Sequence, residues 1–136
     1  MVSELSQKID ELDAAIKKHN SSLARLEDDY NFQRRQFEEE YFRLEDTNRA
    51  LNRYYEEKYE EVLAYLRQVE GDTSDELMAF NRLMEDYRDA TELSYRKERQ
   101  HLDDKEDCFR QDYQRKRDVV EREIASCMAQ KRQILE

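Results

Sequence analysis

Apolar residues recur along the first half of the chain in alternating steps of four and three. The series runs Leu5, Ile9, Leu12, Ile16, His19, Leu23, Leu26, Tyr30, Gln33 and Phe37. Such stepping places one apolar stripe along a helix, as in a coiled-coil seam, here with two polar members. After Phe37 the step is four again, to Tyr41, and two consecutive fours unwind a supercoil locally. The seam resumes at Leu44, Asn48, Leu51 and Tyr55, repeats the double four to Tyr59, and continues through Val62, Leu66 and Val69. His19, Asn20, Ser21 and Ser22 are weak helix formers in a row, but the stripe keeps its phase across them, which predicts an unbroken helix.

The punctuation comes at mid-chain. Gly71 is the only glycine and there is no proline. A helix that ends in a left-handed residue calls for glycine there. Asp72, Thr73 and Ser74 follow, and Thr73 with Glu76 has the spacing of a capping box. The sequence therefore predicts one domain over 1–136: a helix over 3–70 with Ser3 as its N-cap, a turn over 71–73, and a helix over 74–135. A short link between two long amphipathic helices makes them antiparallel neighbours. The expected fold is all-α, an elongated antiparallel two-helix hairpin with arms of about 100 Å. Folding back at Gly71 brings Leu66 level with Phe80, Leu51 with Leu93, Phe37 with Phe109 and Ile16 with Met128. Between residues 88 and 118 the apolar anchors thin out, and Glu98, Glu106 and Lys116 fall on the expected seam.

Composition narrows the classes further. One glycine in 136 residues leaves no phosphate-binding loop and no supply of tight turns. A net charge of −10 disfavours nucleic acid and anionic membrane surfaces. No apolar run approaches the 18 residues of a membrane span, so no membrane insertion is expected, and the N-terminus lacks the pattern of a signal peptide. Cys108 and Cys127 are 19 positions apart in one helix, about 28 Å, too far to bridge within it. With no export signal, that favours a reducing, cytoplasmic setting.

Candidate chemistry is sparse. Glu98 and His101 have the i, i+3 spacing of di-iron bundles, but the second such pair is missing, because His19 follows Ile16. Acidic neighbours at Asp104, Glu106 and Asp107 oppose a reactive thiolate at Cys108. Two histidines support no nucleophile–base arrangement. The sequence predicts a non-enzyme with no cofactor and no metal. Glu38 to Glu40, Glu56, Glu57, Glu60, Glu61, Asp103 and Asp104 form acidic clusters that fit either a solvated helix face or a basic partner.

The aromatics carry the functional signal. Phe32, Phe37, Tyr41, Phe42, Tyr54, Tyr55, Tyr59 and Tyr65 cannot share one stripe at 100° per residue. Two readings stand: padding of half-exposed coil edges, or a second face that binds a helical protein, since tyrosine is enriched at interfaces. The second reading names these eight residues as the interface and leaves a homodimer as the state of the chain alone.

The segments FQRRQFEEEYFRLE, RYYEEKYEEVLAYL and YRKERQHLDDKEDCFRQDYQRKRD, set in an acidic helix–turn–helix chain of this length, resemble the small α-helical hairpin partners of LXG-domain toxins in type VII secretion. These are similar in outline to WXG100 proteins. The resemblance covers nearly the whole chain and implies a targeting chaperone. Such a chaperone binds the toxin's helical N-terminal domain, together with a second small helical protein, and is exported with it. The turn has no Trp-x-Gly, and no C-terminal Tyr-x-x-x-Asp/Glu signal is present, since Tyr113 is followed four later by Arg117. The alternatives are a stalk-like hairpin of a type III or flagellar export ATPase, and a structural coiled coil. An initial Met and a mid-chain turn favour a complete small protein over the last.

Overall fold

The computed structural model describes residues 2–136, which form α1 (Val2–Gln68) and α2 (Ser74–Leu135). The two helices pack against each other as an all-α hairpin. Among the described residues there is no strand, and no helix is long and apolar enough to cross a membrane. α1 is continuous through His19–Ser22, where the Ser21 hydroxyl turns back to donate to the Lys17 carbonyl at 3.1 Å. A serine that satisfies itself on its own helix leaves the backbone ladder intact.

The turn differs in detail from its sequence pattern. α1 ends at Gln68, two residues before the expected 70, because the Val69 N–H bonds the Leu66 carbonyl in a tighter i→i+3 geometry (3.3 Å). Gly71 has φ +98°, the left-handed region that glycine enters without steric conflict. The Leu77 N–H donates to the Thr73 carbonyl at 2.9 Å, which makes Thr73 the N-cap of α2. The capping side chain, however, is Asp72. Its carboxylate accepts from both the backbone N–H (3.0 Å) and the hydroxyl (2.5 Å) of Ser74, in place of the exchange expected between Thr73 and Glu76. At the other end, Ser3 lies inside α1 rather than capping it.

The chain divides into two compact units, residues 1–36 with 105–136, and residues 37–104. In the first, the helices meet through Leu12, which is buried, and through half-buried Ile16, Leu23, Leu26, Tyr30, Phe109, Tyr113, Val120, Ile124 and Cys127. Tyr30 stacks on both Tyr113 (4.2 Å between centroids) and Phe109 (5.8 Å). Across the helices Lys131 forms an ion pair with Asp13 (2.7 Å), and His19 Nδ1 lies 3.0 Å from the Glu123 carboxylate. Lys116 is exposed, not on the seam, and Glu106 is half-buried. Cys108 is exposed and Cys127 half-buried, both free.

In the second unit Met84 and Leu102 are buried. Tyr59 stacks on Phe80 (5.8 Å), and Tyr55 stacks on Tyr87 (6.4 Å) while its hydroxyl pairs with that of Thr91 at 2.9 Å. Three expected seam positions lie elsewhere: Leu51 is partly exposed, and Leu93 and Glu98 are exposed. Small side chains, Ala90 and Ser94, take the place opposite Leu51 where Leu93 was expected.

Two predictions concern the turn. A Cβ added at Gly71 meets nothing within 4 Å, so Gly71→Ala suffers only from its backbone conformation. It should destabilise by about 1 kcal/mol, and Gly71→Asn by less, in denaturant melts. The Ser74 hydroxyl and then its N–H hold the Asp72 carboxyl below its usual 3.8. A carboxylate so held contributes stability above its unfolded pKa, and that contribution disappears as pH falls through the lower folded value. Melting temperature measured from pH 6 down to pH 2 should therefore fall less in Asp72→Ala than in the parent.

Candidate protein-binding surface

The structure divides the eight aromatics named from sequence. Phe37, Tyr41, Tyr55 and Tyr59 are half-buried. Tyr55 and Tyr59 direct their rings to α2, as described. Tyr41 belongs to a polar layer of the same unit: its hydroxyl donates to Asp103 (2.5 Å), and the Arg99 guanidinium lies 4.9 Å over its ring. One turn along, the Tyr95 hydroxyl donates to Glu45, which also accepts from Arg99 at 2.5 Å. The Tyr95 hydroxyl raises the Arg99 guanidinium pKa, with smaller contributions from Glu45 and Asp103. This layer closes the hairpin with hydrogen bonds and charge where apolar anchors are missing.

Phe32, Phe42, Tyr54 and Tyr65 are 54% to 67% exposed. Phe32 belongs to the open-end unit and the other three to the turn unit. On α1 of the turn unit, Thr47, Tyr54, Lys58 and Tyr65 step by seven, four and seven. At 100° per residue they lie within about 40° of one line. The Lys58 ammonium sits 5.6 Å from the Tyr54 ring and pairs with Glu61 at 3.1 Å, which raises its pKa.

Beside that line runs a groove between the helices that sequence reasoning missed. Leu44 and Leu51 wall it from α1, and Tyr87, Ala90 and Ser94 from α2. It is an open furrow of about 370 Å³. Ala90 and Ser94 are short, so the floor is open and the Leu51 side chain reaches solvent. The signal available in the sequence was the spacing Leu83, Tyr87, Ala90, Ser94: one helical line that changes from large to small.

Charge is divided as sharply as the aromatics. Residues 37–104 hold twenty Asp and Glu against ten Lys and Arg, whereas the remaining residues hold fourteen of each. The whole net charge of −10 therefore belongs to the turn unit. Most acidic side chains there are exposed, including Glu38, Glu39, Glu56, Glu57, Glu60, Glu61 and Asp104.

Among the described residues no three His, Cys, Asp or Glu side chains gather as a metal site. Glu98 and His101 are exposed on α2, and His19 faces Glu123 in the other unit. Compared with protein-family models, curated protein sequences and solved structures, the chain matches none.

The two kinds of aromatic should separate by mutation. Tyr55→Ala or Tyr59→Ala removes a cross-helix stack and should lower stability by about 1–3 kcal/mol. Tyr54→Ala and Tyr65→Ala should stay within about 0.5 kcal/mol of the parent. Urea titration followed by circular dichroism reads both.

Proposed function

We propose that this chain is a non-enzymatic adaptor that binds a helical domain of another protein through side chains its own hairpin leaves uncovered. The observation that carries the reading is the contrast within α1. Tyr55 and Tyr59 stack on α2, while Phe42, Tyr54 and Tyr65 stand mostly in solvent. Large aromatics held outward on a rigid helix carry little conformational entropy to lose on binding and bury much area when covered.

The specific form of the proposal is a targeting chaperone for an LXG-type toxin in type VII secretion, acting in the cytoplasm and leaving with its cargo. The resemblance of FQRRQFEEEYFRLE and RYYEEKYEEVLAYL to that family's partners supports it, together with the hairpin fold.

Affinity purification of the tagged full chain from its native host tests this. The expected result is co-purification of a helical protein encoded beside it, with recovery reduced about tenfold or more by the combined Phe42→Ala, Tyr54→Ala and Tyr65→Ala variant at unchanged helix content. Recovery of only further copies of this chain would replace the adaptor by a structural coiled coil. Full recovery with the triple variant would remove the exposed aromatics from the interface.

A further inference from the structure

We infer that the groove of the turn unit, between Leu44/Leu51 and Tyr87/Ala90/Ser94, is a seat for one amphipathic helix of a partner whose apolar stripe is flanked by Lys or Arg. The inference rests on the adaptor reading and names its site and its partner's chemistry.

Three observations converge on it. The first is geometry. Two antiparallel helices with short residues facing a shared furrow offer a third helix a close approach, because interaxial distance is set by the side chains at the contact. The groove has room for roughly three large side chains, such as successive leucines or a phenylalanine on one face of an incoming helix. The second is continuity. Tyr54 and Tyr65 lie along the same side of α1 as Thr47, with Lys58 between them against the Tyr54 ring, so the track extends 18 residues, about 27 Å, or five turns of a docked helix.

The third is charge, which selects the occupant. By the same 100° rule, Asp46, Glu57 and Glu61 flank the track on α1; on α2 Asp86 flanks the line of Ala90 and Ser94, Glu76 stands on that line and Glu98 lines the groove itself, all six exposed. Against these six acids the same side carries Arg43, Arg82 and Lys97 on its flanks and Lys58 on the track itself. A second copy of this chain would bring its own −10 turn unit against this one, and an acidic helix would meet the same repulsion. A helix with basic flanks would instead pair with the rims while its leucines fill the floor. The neutral unit, 1–36 with 105–136, has a groove at Leu26 and Val120 too, but Arg25 and Lys116 line it against Asp29, so it has no acidic excess to select a basic helix.

The test uses the full-length chain and two synthetic 18-residue helical peptides with the same leucine stripe. One is flanked by Lys and Arg, the other by Glu. Fluorescence anisotropy at physiological salt should show the basic peptide binding at least about tenfold more tightly than the acidic one. Ala90→Gln with Ser94→Gln fills the floor with good helix formers and should weaken the basic peptide about tenfold at unchanged circular dichroism. Val119→Gln in the neutral unit should leave binding unchanged. Equal affinity for both peptides, or binding indifferent to the Gln pair, overturns the inference. So does a concentration-dependent dimer in sedimentation that the Gln pair dissolves, since the groove would then hold a second copy. A native partner that cross-links only to residues 1–36 or 105–136 overturns the groove and leaves the adaptor standing.

Discussion

Two helices can offer each other only one stripe apiece, and most of this molecule follows from that constraint. A residue on a two-helix seam has a neighbour on one side and water on the other, so complete burial is hard to reach. Only Leu12, Met84 and Leu102 are buried among the described residues. With so little area removed from water per residue, the seam cannot rely on aliphatic packing alone. Flat aromatic rings answer the geometry well. A stacked pair such as Tyr59 and Phe80, or Tyr30 and Tyr113, covers a broad patch between helices while its edges stay wet.

Polar layers have a different role. Tyr41 with Asp103, and Glu45 with Tyr95 and Arg99, are groups whose partners must stand at one level. An aliphatic seam tolerates a slip of one turn, because one leucine can replace another. A hydroxyl facing a carboxylate across the seam does not, since a slip leaves both without partners. In the turn unit these layers, with the short link at Gly71, select one register among several that hydrophobic pattern alone would allow. The link does so covalently and the layers do so by satisfaction of hydrogen bonds.

The hairpin was legible because its two strongest signals are local. A lone glycine at mid-chain and a sustained four–three stepping need no tertiary knowledge to interpret, and both describe the molecule. What escaped was everything decided between helices. Leu51 and Leu93 look like seam partners by level, yet level does not specify azimuth, and Ala90 and Ser94 occupy the facing position instead. Four of the eight aromatics assigned to an outside partner from sequence, Phe37, Tyr41, Tyr55 and Tyr59, are half-buried, because each falls on or beside the stripe facing α2. Asp72 displaced the Thr73–Glu76 cap for a similar reason. The turn's path set its carboxylate beside Ser74, and a path is not written in a spacing rule.

Charge partition shows how such misses connect to function. Net charge counted over the chain says only that the surface is acidic. Counted over the two packing units, it says that one is neutral and the other carries the entire excess. Self-repulsion within a unit opposes compaction, so an acidic excess beside a thin seam is a standing destabilisation. A cationic partner relieves it on contact, because each Lys or Arg brought to the rims removes repulsion as well as adding attraction. The side of the turn unit left open by short residues is thus also a side where an incoming basic helix finds acids to neutralise, among them Asp46, Glu57, Glu61 and Asp86. The features that make this hairpin a weakly buried fold by itself are the same ones that would make it a selective half of a larger helical bundle.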